Sequence, residues 1–478
     1  MTEPVLPAAS RPLTRRGALT VLGGTAAVAG TSLAAPSWAV AGMRPGAAAA
    51  PSLSARDQVV ARRVSAERAV QHVVELSEGI GPRIGGTPSE REAADYLSGV
   101  LDSYGYDVRL EPFPVADKFL ADLTAVPGLP DDLCWQAGAS PQGALGATVT
   151  GPVVDAGTAT TGLPDLTGAV VLVDLLAPTD PPGPITPALR SASVGAVVAA
   201  GAAAVVLLLP DAVYPRRTSA SSPTLAAPVA VPVVGVAQAQ KERLRAALAA
   251  GPLTLTVTTT AYRGLTSHNV LAERPGRGRP GQGRQALMVG AHYDSVIGAP
   301  GANDDGSGTA LTLELARVMR SLPTDLDLRF SLWGSEEQGL IGSRYHVAQL
   351  DAAARARLLG VYNNDMVATS WDPATRYWVL SFDGQPNVIT SSVIGAAERL
   401  GYAPRLSPVT LRGSSDHQSF QEVGIASANF SWRGEESPAL LEPPYHSPED
   451  TVARNISLER LQVSLELVGS ALYQVARG

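Results

Sequence analysis

The sequence predicts a layered α/β protein that is interrupted by an inserted domain. From Ser267 onward, apolar segments with strand spacing and helix spacing alternate, which is typical of a sheet covered by helices. Between about Ala116 and Ala261 the chain becomes poor in charge and rich in Ala, Val, Gly, Thr and Pro. Because stretches of a different character flank this segment on both sides, we expect an insertion into a larger α/β domain.

Residues 1–41 are predicted to be an export signal and not part of the fold. The twin arginine Arg15-Arg16 precedes an uncharged stretch, and small residues around Ala39 offer a cleavage site. A transmembrane anchor is the alternative, but the Gly- and Ala-rich stretch barely reaches the roughly 20 apolar residues that a bilayer needs. We expect a secreted or extracytoplasmic protein exported by a twin-arginine signal, without a stable membrane anchor. A flexible lead-in is predicted over 42–62.

The first part of the α/β domain is predicted over 63–115. Apolar residues have helical spacing over 65–106, with a Gly-rich break at 79–86. Residues 108–113 then alternate as a strand.

The inserted domain is predicted over 116–262, as a small β-rich α/β unit. Short apolar runs predict buried strands, and helical spacing separates them. The predicted strands lie at 169–174, 203–210, 232–236 and 253–260, and the predicted helices lie between the first two and at 238–250.

The second part of the α/β domain is predicted over 263–478, and four of its loops carry acidic or His side chains after apolar, strand-like runs. The carboxyl ends of strands are where open α/β sheets place their sites. The four loops contain His292 to Asp305, Glu336 and Glu337, Asn363 to Asp365, and Tyr445 and His446.

These residue types together point to a metal site. Imidazole and carboxylate are the ligands of catalytic zinc, and two zinc ions that share a carboxylate and a water form a hydrolytic centre. Adjacent side chains such as Glu336 and Glu337 point in different directions, so one can bind metal while the other serves as general base. Taken singly, each loop is equally compatible with a surface hydrogen-bonded pair, a turn or a solvated face. Their joint order favours the metal site.

That order resembles the secreted double-zinc aminopeptidases, a metallopeptidase family that includes bacterial leucyl aminopeptidases and yeast vacuolar aminopeptidase Y. In that family a His-x-Asp-Ser motif is followed twelve positions later by the Asp of Asn-Asp-Asp-Gly-Ser-Gly, as His292 is here by Asp304. The match continues through Trp-Gly-x-Glu-Glu at 333–337, Asn-x-Asp-Met at 363–366 and Tyr-His-Ser at 445–447. The resemblance implies a mixed-sheet, three-layer zinc-peptidase domain of the phosphorylase/hydrolase-like kind.

The resemblance also implies two Zn²⁺ ions and a role for each matching residue. Asp304 would bridge the ions, His292 and Asp365 would hold one of them, and Glu337 and His446 the other. Glu336 would be the general base, and Tyr445 would donate a hydrogen bond to the oxyanion. Asp294 would orient the His292 imidazole. Asp416 and His417 would lie behind the ligands or in the substrate pocket. A purely structural Asp416-His417 pair is the alternative.

The inserted segment resembles the protease-associated domain found in several members of that family. The similarity lies mainly in the apolar runs at 168–173 and 201–207. The family associates this domain with covering the active-site cleft or shaping substrate access, and no residue in 116–262 has a catalytic pattern.

The predicted activity is removal of N-terminal residues from peptides with a free N-terminus. A carboxypeptidase or dipeptidase on the same scaffold stays open, as do the preferred side chain and the oligomeric state. A glutaminyl-cyclase-like enzyme uses one zinc, and the five-ligand set argues against it. A non-catalytic receptor-like protein would be expected to have lost ligands or the base, and none is lost.

Composition excludes several other classes of protein. The single cysteine, Cys134, excludes a disulfide framework within the chain and any zinc finger with two or more Cys ligands. With 37 basic and 44 acidic residues the net charge is −7, so the chain lacks the polycationic character that binding nucleic acid requires. The Gly-x-Gly-x-x-Gly run at 276–281 contains Pro280 and lies in a loop, so it predicts no dinucleotide site.

Overall fold

The computed structural model describes residues 53–125, 129–176, 183–278 and 285–478. The export signal predicted over 1–41, and the part of the predicted lead-in at 42–52, lie outside the described residues. Within the described ranges, no helix is both long enough and apolar enough to cross a membrane.

Fifteen strands run through the described part of the chain. In chain order they are β1 Asp107–Val115, β2 Lys118–Ala125, β3 Gln136–Ala139, β4 Thr148–Asp155, β5 Val170–Asp174, β6 Ala204–Leu208, β7 Val233–Val236, β8 Thr254–Tyr262, β9 Leu265–Arg274, β10 Ala286–His292, β11 Asp327–Trp333, β12 Leu358–Asn364, β13 Arg376–Ser381, β14 Leu406–Leu411 and β15 Ser427–Arg433.

Twelve α-helices accompany them in the same ranges. They are α1 Ala55–Ala61, α2 Ala66–Val74, α3 Pro88–Ser103, α4 Pro187–Ala199, α5 Gln238–Ala250, α6 Gly308–Met319, α7 Ile341–Gln349, α8 Ala352–Arg357, α9 Val388–Leu400, α10 His417–Gln421, α11 Val452–Asn455 and α12 Leu458–Ala476. Shorter helical turns lie at Glu75–Ile80, Ala302–Ser307, Glu336–Gln338 and Ala403–Arg405.

The larger sheet has eight strands in the order β1-β9-β11-β10-β12-β15-β13-β14. Its four central strands, β11, β10, β12 and β15, are parallel to one another, whereas β1, β9 and β13 pair antiparallel with their neighbours towards the centre. The carboxyl ends of the four central strands therefore lie along one edge of the sheet, which is where a site can be assembled from their loops.

Helices cover both faces of this sheet, because successive side chains of its buried strands alternate between two apolar layers. On one face Leu287 and Val289 of β10 join a core that includes residues of α6, α9 and α12. On the other face Met288 packs in a second cluster with Val347 of α7 and Phe420 of α10. This arrangement confirms the predicted mixed-sheet, three-layer α/β fold.

The segment predicted as an insertion forms a separate closed barrel, with strand order β2-β3-β7-β6-β5-β4-β8. Strands β5 and β6 are the apolar runs noted in the sequence, and nearly all of their side chains are buried between the barrel interior and the layer that contains α4. Ion pairs connect the barrel to the larger sheet's loops: Arg217 lies 3.3 Å from Glu449, and Asp132 lies 2.8 Å from Arg454.

One prediction about the amino-terminal region is wrong. Residues 55–61, expected within a flexible lead-in, form helix α1, which begins with a capping box between Ser54 and Asp57. Asp57 is fully buried and accepts hydrogen bonds from the Arg399 guanidinium at 2.8 and 3.0 Å. The lack of a side chain at Gly469 lets α12 approach Val60 closely, because an added Cβ would lie 2.8 Å from Val60 Cγ1. These distant partners order the helix.

Candidate active site

The four loops singled out in the sequence converge at the carboxyl edge of the central strands. His292 is the last residue of β10, Glu336 follows β11 by three positions, and Asp365 directly follows β12. Since these three strands are parallel neighbours, their ends bring the side chains together although they are far apart in sequence.

Asp304 lies between the two histidines of the site. Its Oδ1 is 3.3 Å from Nε2 of His292, and its Oδ2 is 3.1 Å from Nε2 of His446. Nε2 of His446 is also 3.0 Å from Oε2 of Glu337. Each oxygen of one carboxylate thus faces a different imidazole, which is the arrangement that a bridging ligand requires.

Glu336 and Asp365 approach the same nitrogen of His292 as Asp304 does. Nε2 of His292 is 4.0 Å from Oε2 of Glu336 and 4.0 Å from Oδ1 of Asp365. Two sets of three residues have ligand atoms that all lie within 4.8 Å of one another, and both sets contain His292. One set adds Asp304 and Glu337, and the other adds Glu336 and Asp365.

Several buried polar atoms in this cluster lie close to other polar atoms but form no hydrogen bond of good geometry within the described chain. Buried polar atoms are rarely left unpaired, because desolvation without a partner is costly. Nitrogen and oxygen atoms with this arrangement fit a divalent metal such as zinc. The atoms are Nδ1 of His292, Oδ2 of Asp304, Oε1 of Glu337, Oδ1 of Asp365 and Nε2 of His446.

The crowding of acids in a buried place shifts the pKa values of the cluster. Burial, and then the negative charges of its carboxylate neighbours, raise the pKa of Glu336 well above its usual range. Burial raises the pKa of Glu337 to about 7. Burial alone would lower the pKa of His446, but the Glu337 and Asp304 carboxylates outweigh it and raise that pKa to about 10. Without a cation the site therefore retains protons.

Asp294 holds the Glu336 loop in place. Its Oδ1 accepts a hydrogen bond from the backbone N–H of Glu336 at 2.9 Å, and its Oδ2 accepts one from Glu337 at 3.3 Å. Oδ1 also lies 3.5 Å from Nδ1 of His292. The predicted contact with the imidazole is accompanied by two backbone contacts that the sequence did not indicate.

Glu90, at the start of α3, accepts hydrogen bonds that hold the same loop. The sequence did not indicate it as a site residue. Its Oε1 accepts hydrogen bonds from Ser267 Oγ at 2.7 Å and from the backbone N–H of Ser335 at 3.1 Å. Gly85 has to be glycine here, since a Cβ would lie 2.2 Å from Ser335 Oγ. The Gly-Gly-Thr-Pro-Ser-Glu motif at 85–90 is thus a platform for the loop that carries Glu336 and Glu337.

Asp450 plays a corresponding part for the loop of Asp304. It accepts hydrogen bonds from the backbone N–H groups of Asn303 and Asp304, both at 3.0 Å. Asn455 donates to Asp450 at 2.7 Å, and Asn303 donates to the buried Glu442 at 2.8 Å. Asp450 lies in the loop of Tyr445 and His446, so this network fixes two of the four loops relative to each other.

Backbone strain is concentrated at the site. Five described non-glycine residues have a left-handed φ, a conformation that costs free energy and persists only where surrounding contacts enforce it. They are Ser335 at 55°, Leu340 at 61°, Met366 at 64°, Ser414 at 62° and His446 at 54°. Four of them lie in or beside the loops that carry the candidate ligands, and Ser414 lies in the loop that carries Asp416.

Tyr445 faces the cluster, whereas Asp416 and His417 lie behind it. The Tyr445 ring stacks on His446 with centroids 3.8 Å apart, and burial and nearby carboxylates keep its pKa well above the usual value, so its hydroxyl stays a donor. Both carboxylate oxygens of Asp416 are buried without a described partner. His417 contacts the backbone carbonyl of Arg412 at 2.8 Å through Nε2, which must donate the proton.

These side chains line a cavity of about 350 Å³, a volume that suits a small part of a peptide. Four of the five candidate ligands and the candidate base line it, and Leu340, Met366 and Leu441 contribute apolar wall. Three arginines, Arg344, Arg412 and Arg433, are also part of the lining.

Comparisons with known proteins give a consistent result. Residues 269–472 match Peptidase family M28. The chain is 35% identical over 419 residues to Aminopeptidase YwaD of Bacillus subtilis (strain 168), and the alignment covers 86% of this chain and 85% of YwaD. It is 29% identical to the Probable lipoprotein aminopeptidase LpqL of Mycobacterium tuberculosis, and that alignment covers 82% of this chain and 81% of LpqL.

Solved structures agree with the sequence relatives. BSAP, a zinc aminopeptidase from Bacillus subtilis, superposes with a TM-score of 0.60 at 33% identity over 87% of this chain and 96% of its own. The aminopeptidase from Aneurinibacillus sp. strain AM-1 superposes with a TM-score of 0.54, also at 33% identity, over 88% and 96% of the two chains.

Proposed function

The chain belongs to peptidase family M28 and is a zinc metallopeptidase, and from this premise we propose that it is an exported aminopeptidase with two Zn²⁺ ions and Glu336 as general base. Its substrates are peptides with a free N-terminus, from which it removes the first residue.

The position of Asp304 is the observation that carries the proposal. Its two carboxylate oxygens face two different imidazoles, those of His292 and His446, at 3.3 and 3.1 Å. Asp365 lies near Nε2 of His292 and Glu337 near Nε2 of His446, so each half of the site has one histidine and one carboxylate in addition to the shared Asp304. We propose that these five residues hold the two ions.

When bound, zinc lowers the pKa of a coordinated water and polarises the scissile carbonyl. Glu336, whose backbone N–H is fixed by Asp294, is not among the five proposed ligands, and its Oε2 lies 4.0 Å from Nε2 of His292. In our proposal Glu336 accepts the proton of the attacking water and then donates it to the leaving amine. Tyr445, with its hydroxyl protonated, donates a hydrogen bond to the developing oxyanion.

The metal-binding side of the cavity suits a free α-amino group. Its nitrogen would lie against a bound zinc ion, and Glu336, whose Oε2 is 4.0 Å from Nε2 of His292, would be near enough to accept a hydrogen bond from it. A blocked terminus has no free amine to place there. This argument favours an aminopeptidase over a carboxypeptidase on the same scaffold.

The domain boundaries remain part of the proposal: an export signal over 1–41, peptidase segments over 63–115 and 263–478, and an inserted protease-associated domain over 116–262. The closed barrel of β2–β8 supports the insertion. The ion pair of Arg217 with Glu449, three residues from His446, supports a role for the barrel beside the site entrance.

Metal analysis of the purified protein, combined with a substrate scan, tests the function. We expect about two zinc ions per chain and cleavage of unblocked aminoacyl substrates but not of their N-acetylated counterparts. One zinc ion per chain would contradict the two-metal assignment. Cleavage of the blocked substrates would contradict the aminopeptidase assignment.

A further inference from the structure

Two arginines line the same cavity as the candidate metal ligands, and neither forms an ion pair with a carboxylate in the described chain. Arg412 directly follows strand β14, and Arg433 is the last residue of β15. The third arginine of the lining, Arg344, differs from them because it lies 3.4 Å from Glu422.

Arg433 is a fixed positive charge. Its side chain is only 3% exposed, and neutral groups hold it: Nε donates to Ser431 Oγ at 3.0 Å and Nη1 donates to the backbone oxygen of Pro438 at 3.0 Å. Those two contacts set the plane of the guanidinium but leave its charge unbalanced. Nη2 has no hydrogen-bond partner among the described residues.

Arg412 has a fixed backbone and an unpartnered side chain. Its backbone N–H donates to Ser381 O at 2.9 Å, and its carbonyl accepts the proton of His417 Nε2 at 2.8 Å. The guanidinium makes no hydrogen bond within the described residues, and its Nε is buried without a partner. His417 therefore positions Arg412 without neutralising it.

The surroundings of Arg412 make its charge costly. Burial, and then the positive charge of Arg433, lower the pKa of Arg412 to about 10, so it is still a cation at neutral pH. Arg216 of the barrel adds a further positive charge, and Asp365 opposes it only in part. Like charges held in a desolvated wall need an anion, and within the described chain no carboxylate forms an ion pair with either arginine, Asp365 being assigned to the metal.

We propose that Arg412 and Arg433 form a carboxylate-binding subsite, so that the enzyme prefers substrates that carry a carboxylate close to the scissile bond. A guanidinium fork matches a carboxylate in shape as well as charge. The carboxylate can be the side chain of an N-terminal Asp or Glu, or the C-terminus of a dipeptide. This inference rests on the proposed aminopeptidase function, whose substrate class it narrows.

Two pairs of substrates, each differing only in the carboxylate, test the inference with the zinc-loaded protein. Glutamyl- and glutaminyl-p-nitroanilide test the side-chain source, and Leu-Gly and Leu-Gly-amide test the C-terminal source. We expect kcat/KM to favour the acid about tenfold or more in at least one pair, as a charge-assisted hydrogen bond would give. The pair that responds identifies the source.

Arg412→Met should reduce that preference to about twofold or less, and Arg412→Lys should retain part of it, because the charge remains while the fork is lost. Arg344→Met is the matched control: it removes an arginine of the same cavity that already has a carboxylate partner, and we expect the preference to remain.

The inference is overturned if wild-type protein shows no acid preference in either pair, a comparison that does not depend on any variant folding. It is also overturned if the preference survives in a folded Arg412→Met protein. Failure of the proposed function would look different, since leucyl-p-nitroanilide would then not be hydrolysed either, and both proposals would fall together.

Discussion

Asp294 Oδ1 accepts a hydrogen bond from the backbone N–H of Glu336 at 2.9 Å, which joins the loop after β10 to the loop after β11. The other oxygen accepts the N–H of Glu337 at 3.3 Å, and Oδ1 also lies 3.5 Å from the His292 ring. A single buried carboxylate therefore sets the relative positions of the proposed base, one proposed ligand from each half of the site and the two loops that carry them.

We predict that Asp294→Asn impairs the site without unfolding the protein. The two oxygens of Asp294 accept two backbone N–H groups, whereas an Asn side chain has one oxygen and one NH2 group. The NH2 group cannot accept a hydrogen bond from a backbone N–H, so one of the two loop contacts is lost. Substitution of a residue that hydrogen-bonds a metal ligand typically lowers metal affinity or activity 10- to 100-fold. We expect a loss of about that size in zinc affinity or kcat. Equilibrium zinc titration and steady-state kinetics measure it, with the exposed Asp95→Asn as control. Unchanged affinity and kcat would show that the loop is held elsewhere.

The adjacent residues Glu336 and Glu337 should respond to substitution in opposite ways. Glu336→Gln removes the proton acceptor but not a proposed ligand, so we expect unchanged zinc content and a kcat reduced about 100- to 10,000-fold. Glu337→Gln should lose zinc as well as activity. Metal analysis beside initial rates distinguishes the two, and Glu92→Gln, on the exposed side of α3, is the control. Loss of zinc from Glu336→Gln together with retention of zinc in Glu337→Gln would mean that Glu336 is the ligand and Glu337 the general base.

Removal of zinc should destabilise the protein in a pH-dependent manner. Burial raises the pKa values of Glu337 and Asp416 to about 7, so without metal the folded state holds protons that the unfolded state has released. The stability of the metal-free protein should then fall as pH rises from about 5 to 7. Calorimetry with chelator, and again after zinc is restored, measures the midpoint temperature. Equal midpoints with and without zinc at pH 8 would contradict the prediction.

Much of the fold could be predicted because its strands and helices satisfy local patterns. The predicted helix at 238–250 is observed as α5 with the same bounds, and the apolar runs at 169–174 and 203–210 are strands β5 and β6. Helix α1 has only a short local signal, the capping pair Ser54 and Asp57. The helix is only seven residues long and depends on the contact of Asp57 with Arg399, 342 residues further along the chain, which local patterns do not show.

The candidate site likewise contains some residues that could be predicted from the sequence and others that could not. The candidate ligands stand out because their residue types are chemically distinctive and follow strand-like runs. Glu90, Asp450 and Arg412 do not, since an acid behind a loop or an arginine in a cavity wall is defined by what it contacts. For Glu90 and Asp450 the only local signal is their position, since Glu90 follows the Gly-rich break at 79–86 and Asp450 follows the Tyr-His-Ser motif at 445–447. Nothing local distinguishes Arg412 from the other arginines.

Glu90 allows a further test of the support beneath the Glu336 loop. It is 1% exposed, and burial, together with the charge of Asp294, raises its pKa to about 8. In the unfolded chain a Glu has a pKa of about 4.3, so between roughly pH 4.5 and 8 the folded state binds a proton that the unfolded state lacks.

The sign follows from that difference: the contribution of Glu90 is present below the unfolded pKa and is lost as pH rises towards 8, with a slope of up to about 1.4 kcal/mol per pH unit. Glu90→Gln stays neutral at every pH, so its stability should decline less steeply than that of wild type between pH 5 and 8. Denaturant unfolding of both zinc-saturated proteins across this range measures the two slopes. Because the zinc site contributes equally to both, parallel curves would mean that Glu90 is ionised in the folded protein. The four hydrogen bonds that its carboxylate accepts, one from Gly86, one from Ser267 and two from Ser335, would then outweigh its burial.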